Sequence, residues 1–230
     1  MKSIDVLQHT SAEYLGLIED HLEGRNIRFR YCRPFTGKVS LPKAEVVTDG
    51  LVLLGGGPWG SAGTRDLPTL EAEVALTKDI LSQGKPIVGI GLGAQILAIA
   101  AGGRSEASAL EFSVGTAKRV STDALDGYLP AEYPLAIYMR DVAVPPAGAR
   151  ILAEDQFGRP ALWQVGERAL GFSGHPGLKV AMVEDLVMEF EEAPADVASG
   201  LEQLRRVQRS IEDALVPLMA GAVKLMGWMA

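Results

Sequence analysis

Gly89-Ile90-Gly91-Leu92-Gly93-Ala94-Gln95 (GIGLGAQ) stands between the apolar run Pro86-Ile87-Val88 and the helix-like run Ile96-Leu97-Ala98-Ile99-Ala100. Three glycines at alternate positions between a buried strand and a helix mark a turn that brings backbone close to something. The centre of that turn, Gly91, has no reactive side chain.

The same strand-turn-helix texture recurs on either side of this turn. Upstream, residues 50–57 (GLVLLGGG) form an apolar strand running into three glycines, which belongs in the middle of a sheet. Residues 67–86 place Leu70, Val74, Leu76, Ile80 and Leu81 at helical spacing and stop at Gly84-Lys85-Pro86, the pattern of an amphipathic helix. Nearer the N-terminus, residues 4–9 (IDVLQH) read as a strand, and residues 12–26 as a helix through Tyr14, Leu15, Leu17, Ile18 and Leu22. Residues 27–33 (IRFRYCR) alternate apolar side chains with arginines, as an edge strand does. From about Glu111 the segments become shorter and alternating, which suits antiparallel or mixed strands, and they end in residues 169–177 (ALGFSGHPG). Helix returns over residues 180–192, is cut by Pro194, and resumes toward the C-terminus. Repeated βα units with short loops predict an α/β, doubly wound, mostly parallel central sheet flanked by helices. The expected division is one domain over residues 1–192 and a C-terminal helical extension over 193–230.

Bulk composition narrows the function classes. The 230 residues carry 22 Lys and Arg against 29 Asp and Glu, a net charge of -7, with no basic run to follow a phosphate backbone, so nucleic acid is not an expected partner. A single cysteine, Cys32, excludes an internal disulfide, and the N-terminus does not read as a leader, so a cytoplasmic address is expected. Residues 214–230 are the most membrane-like piece, but they are short and interrupted by Pro217 and Lys224, so no membrane span is expected. Neither His9 nor His21 has metal-ligand spacing to a second donor, and no metal or cofactor is expected.

In doubly wound sheets ligands bind at the carboxyl ends of the strands. Three glycine loops fall at that edge: Gly55-Gly56-Gly57-Pro58, Gly91-Leu92-Gly93 and Gly174-His175-Pro176-Gly177. With these residues in this order, the chain resembles the class I glutamine amidotransferases, in particular short stand-alone members similar to the amidotransferase half of GMP synthase. The likeness runs from the first strand to about Glu191. It implies the flavodoxin-like fold of that family and a G-x-C-x-G-x-Q elbow whose cysteine attacks the glutamine amide. It also implies a histidine in an H-P-E motif as base, with the glutamate orienting it. Carried onto this chain, the nucleophile position is Gly91, the base is His175 and the acid position is Gly177. The resemblance further implies that Gly56, Gly57 and Leu92 belong to the oxyanion hole and that Gln95 belongs to the elbow. Where the stand-alone relatives often carry histidines facing the site, this chain has Tyr138, Met139 and Arg140.

Glycine at an elbow relieves backbone strain of about 1–3 kcal/mol and removes the hook. His175 is then either a base without a nucleophile or a structural residue bonded to backbone. Cys32, flanked by Arg30 and Arg33, is the one substitute thiol, and those arginines would lower its pKa. Backbone N–H groups near Gly56, Gly57, Leu92 and Gln95 retain the capacity to bind a small carboxylate or amide. In the C-terminal helix, Leu215, Leu218, Met219, Val223, Met226 and Trp228 make the last turns apolar around much of the circumference. That is either packing onto the domain or an interface with a second copy or another subunit. Two functions compete. One is a catalytically degenerate amidotransferase-like protein acting as a non-catalytic or regulatory subunit or small-ligand binder. The other is a hydrolase-type enzyme of altered chemistry that uses His175 and the glycine-lined oxyanion hole.

Overall fold

Four short segments form parallel neighbours at one end of the sheet: β1 (Ser3–Leu7), β2 (Arg28–Cys32), β3 (Leu51–Leu53) and β4 (Ile87–Ile90). The computed structural model describes residues 1–37 and 41–229. Residues 38–40 of the loop expected after β2 therefore lie outside the described residues, as does Ala230 at the end of the apolar C-terminal run. β3 and β4 are buried at every position because both faces of the sheet are covered. Successive residues point to opposite faces. Val52, Val88 and Ile90 face the layer that holds Leu215, Leu218 and Trp228, whereas Leu51, Leu53 and Ile87 face the layer that holds Leu76, Ile80 and Leu97.

The helices follow the expected periodicities: α1 (Ile18–Glu23), α2 (Leu70–Ser82), α3 (Leu92–Ala100), α4 (Val180–Glu189) and α5 (Val197–Leu225). The remaining strands are β5 (Arg104–Glu106), β6 (Glu111–Arg119), β7 (Glu132–Met139), β8 (Val142–Val144), β9 (Arg150–Glu154), β10 (Pro160–Val165) and β11 (Ala169–Phe172). They complete a nine-stranded sheet in the order β2-β1-β3-β4-β11-β10-β9-β6-β7, with β5 and β8 paired separately. β2 is the edge strand its alternation suggested. Only β10 and β6 run against the other seven strands, so the doubly wound, mostly parallel reading holds.

Three local features correct or sharpen the sequence expectation. The helix anticipated from residue 12 starts only at Ile18, because Gly16 takes a left-handed φ of 63° and packs so tightly that a Cβ there would lie 2.3 Å from the Gly177 carbonyl oxygen. Residues 135–144, within the alternating region expected to form antiparallel or mixed strands, divide between two strands: the backbone breaks at Asp141, φ 61°, and β8 turns away to pair with β5. The third concerns the end of α5, for which packing and an interface were both open. Leu215, Leu218, Met219, Val223, Met226 and Trp228 are buried in the domain's own core, and the Trp228 indole N–H donates to the Asp49 carbonyl at 2.7 Å. Each such side chain contributes about 1.5–3 kcal/mol when fully buried. The apolar circumference is thus covered by the packing alternative, and only Val216 and Met229 in this region remain exposed large apolar residues. No helix among the described residues is long and apolar enough to cross a membrane.

Candidate functional site

Gly91 ends β4 and leads into α3 with φ 56° and ψ -115°, the sharp strand-to-helix elbow the glycine spacing called for. The flanking glycines are required by contact. A Cβ on Gly93 would lie 2.1 Å from the Leu53 carbonyl oxygen, and one on Gly89 would lie 2.4 Å from the Gly93 carbonyl oxygen. Gly91 itself is different, since a Cβ there would meet only the Gly55 Cα, at 3.5 Å. The elbow therefore has room for a side chain and is opposed by backbone strain alone.

The neighbouring loops converge on the elbow through sheet register. β4 and β11 are parallel with Ile90 opposite Phe172, so Gly91 and the Ser173–Gly177 loop leave adjacent strands at the same edge. β3 is the neighbour on the other side and delivers the Gly55–Pro58 loop, with the Leu92 side chain packed against Gly56. All three glycine loops are thus brought together, and His175 lies on the elbow's edge of the sheet.

The His175 ring is fully committed to backbone. Its Nε2–H donates to the Tyr14 carbonyl at 2.8 Å, and its Nδ1 accepts from the Gly177 N–H at 3.1 Å. Burial lowers its pKa to about 4, so the ring is neutral at pH 7 and has no free lone pair to take a proton from water. Gly177 leaves little space for the acid of an H-P-E motif, because a Cβ there would lie 3.0 Å from the Ile18 backbone nitrogen and from its Cγ1.

The residue that sequence reasoning missed is Glu13, which lies in the first part of the expected helix over 12–26, where no helix forms. The Glu13 carboxyl accepts from the Gly57 N–H at 2.7 Å, and it is packed over Gly55 so closely that a Cβ on Gly55 would be 1.7 Å from it. Gly57 was expected to offer that N–H to a ligand; it is occupied by the chain's own side chain. Burial pushes the Glu13 pKa up to about 7 against the opposing effects of the Gly57 bond and the His9 charge. His9 donates from Nδ1 to the Gly55 carbonyl at 3.0 Å and pairs through Nε2 with Glu73 at 2.8 Å. Burial alone would lower the His9 pKa, but the charge and hydrogen bond of Glu73, then the Gly55 bond, outweigh it and leave it raised. The N–H groups of Ser11 and Ala12 donate to Glu189 of α4, which ties the segment down. A glutamate four residues after a histidine was visible in the sequence, but nothing local shows that it reaches a loop 44 residues away.

Gln95 is buried and spent within the chain. Its Oε1 accepts from the Ser61 hydroxyl at 2.6 Å and its Nε2 donates to the Arg140 carbonyl at 2.6 Å, so it holds β7 and the Ser61 loop to α3 instead of facing a ligand. The Cys32 expectation also reverses. Arg30 turns to Asp5 and Arg33 to Gln8, and burial, then the charges of Asp5 and Glu73, push the thiol pKa up. Among the described residues, no group of three or more His, Cys, Asp or Glu side chains is placed to hold a metal ion.

A family model described as glutamine amidotransferase class-I matches residues 18–178. Among solved structures, a glutamine amidotransferase from Thermotoga maritima is similar at 23% identity and a TM-score of 0.79, covering 98% of each chain. A second glutamine amidotransferase, from Methylobacillus flagellatus, is similar at 23% identity and a TM-score of 0.77, covering 98% of this chain and 95% of its own. More distant is a putative GMP synthase subunit from Thermoplasma acidophilum, at 17% identity and a TM-score of 0.55, covering 91% of this chain and 98% of its own. A search of curated proteins gave no match.

Proposed function

The chain belongs to the class-I glutamine amidotransferase family, and from that premise we propose that it is a catalytically degenerate member, one that binds a partner or a small ligand and does not hydrolyse glutamine. The observation that carries this reading is Gly91 at the centre of an intact elbow, with space for a side chain and no thiol in it. Three further features support it. His175 has both ring nitrogens bonded to backbone, Gly177 offers no acid to orient that ring, and the Glu13 carboxyl takes the Gly57 N–H.

Magnitudes favour the same conclusion. An oxyanion hole and binding without a working triad leave roughly a thousand- to ten-thousand-fold acceleration over water, far below a useful glutaminase. Even that remnant needs donors free to meet an oxyanion, and the Gly57 donor is taken. Hydrolysis by a water activated at His175 would require the ring to give up the Gly177 N–H bond and to act as a base with a pKa of about 4. Ammonia release from glutamine by the unmodified chain tests the proposal, with none above the uncatalysed rate expected. In this reading the protein acts by presenting its folded surface and its pocket, as a regulatory or non-catalytic subunit does.

A further inference from the structure

Beyond α4 the chain forms neither helix nor strand until Val197, and this link carries Glu192 to the mouth of the Gly55–Pro58 loop. The Glu192 carboxylate lies between two guanidinium groups: Arg65 Nη1 donates to Oε2 at 2.5 Å and Arg140 Nη2 donates to Oε1. The partners differ sharply in exposure. The Arg140 side chain is 8% exposed, whereas Glu192 is 42% exposed and held by an irregular link.

Arg140 is positioned in advance. Its Nε donates to the Pro58 carbonyl at 2.9 Å, which fixes the plane of the guanidinium and leaves the Nη2 edge for an anion. A buried guanidinium is costly without a counter-ion, so whatever displaces Glu192 must itself be negative. Arg65 lies over the Trp59 ring at 5.0 Å and the Phe190 ring at 6.0 Å, which holds its fork in place on the same point. A third group lies two residues before Arg140 in the chain. The Tyr138 hydroxyl is buried and has no hydrogen-bond partner among the described residues, and the charges of both Glu192 and Glu13 act on it. A buried hydroxyl without a partner is a donor awaiting an acceptor.

We propose that Arg140 and Arg65 form a binding site for a small carboxylate-bearing molecule, in which Glu192 is a displaceable internal occupant. Two guanidinium groups, each holding one oxygen of a single carboxylate, suit that planar anion. The apolar ring of Trp59 beneath Arg65 provides surface for the rest of the molecule. This site borders the Gly55–Pro58 loop, to which the Pro58 bond ties Arg140, and the proposal holds whether or not glutamine is hydrolysed.

Calorimetric titration with glutarate, and with neutral glutaramide as control, tests it. Removing the internal carboxylate removes its competition, so Glu192→Gln is expected to bind glutarate about tenfold more tightly than the unmodified chain. Adding Arg65→Gln should abolish that gain, and glutaramide should bind neither form. Thermal melting supplies a second readout: glutarate should raise the Tm of Glu192→Gln more than that of the unmodified chain. Equal glutarate affinity with and without Glu192, a gain that survives Arg65→Gln, or glutaramide binding as well as glutarate would each overturn the proposal.

Discussion

At Gly91 two requirements of a nucleophile elbow separate: space for a side chain and tolerance of its backbone strain. Because a Cβ there meets only the Gly55 Cα at 3.5 Å, Gly91→Ala is expected to cost about 1–3 kcal/mol, the strain of φ 56° and ψ -115° alone. Gly93→Ala drives a methyl against the Leu53 carbonyl oxygen, and a clash with backbone in a fully packed site should cost more, about 3 kcal/mol or enough to prevent folding. Urea denaturation of the two variants checks the order; a Gly91→Ala cost equal to or above that of Gly93→Ala would contradict the packing described. The elbow was legible in the sequence because alternate glycines between a strand and a helix leave few conformations. Glu13 was not legible, because its partner Gly57 lies 44 residues away and only the fold brings them together.

The decisive element is residues 8–16, which reach the Gly55–Pro58 and Gly174–Gly177 loops without forming helix or strand. This segment places His9 on Gly55, Glu13 on Gly57, the Tyr14 carbonyl on His175 and Gly16 against Gly177. From residue 12 its apolar residues share the helical spacing of the stretch that follows, so periodicity alone assigns residues 12–16 to α1. The helix loses there because Gly16 adopts a left-handed φ and the backbone finds partners outside the segment. Glu189 anchors it by accepting from the Ser11 hydroxyl and from the N–H groups of Ser11 and Ala12. Glu189→Ala is expected to destabilise the chain by about 1–3 kcal/mol and to speed hydrogen exchange at Ser11 and Ala12 above that at β3. Unchanged exchange at those two amides would show that the anchor contributes nothing.

For the whole molecule, two buried groups at the site pull stability in opposite directions as pH changes. Glu13 has a raised folded pKa of about 7, so its contribution is full at low pH and is lost as pH rises from the carboxylate range to about 7. His175 has a lowered folded pKa of about 4, so its contribution is full above about 6.5 and is lost as pH falls toward 4. The windows overlap, and in the unmodified chain the two slopes offset each other at about 1.4 kcal/mol per pH unit each. Relative to the unmodified chain, Glu13→Gln should gain stability as pH rises from 5 to 7, and His175→Asn should gain as pH falls from 6.5 to 4. Parallel stability curves for all three would contradict the burial of these groups. The raised pKa of His9 adds to the loss on the alkaline side, since its protonated form is the one Glu73 holds.

At this scale most of the architecture was readable from apolar runs, glycine loops and helical spacing, since both faces of β3 and β4 must be covered. What escaped are the long-range polar ties, Glu13 to Gly57 and Glu192 to Arg140, because charged residues in a sequence read as solvated until a fold buries their partners. As proposed, an amidotransferase scaffold operates here without the family's chemistry. The most direct test is ammonia release from glutamine by the purified chain, alone and with any co-purifying protein, beside a Cys32→Ser control. No saturable turnover is expected in any of these; turnover by the unmodified chain that rises with glutamine to a plateau would mean that the chain is a working glutaminase.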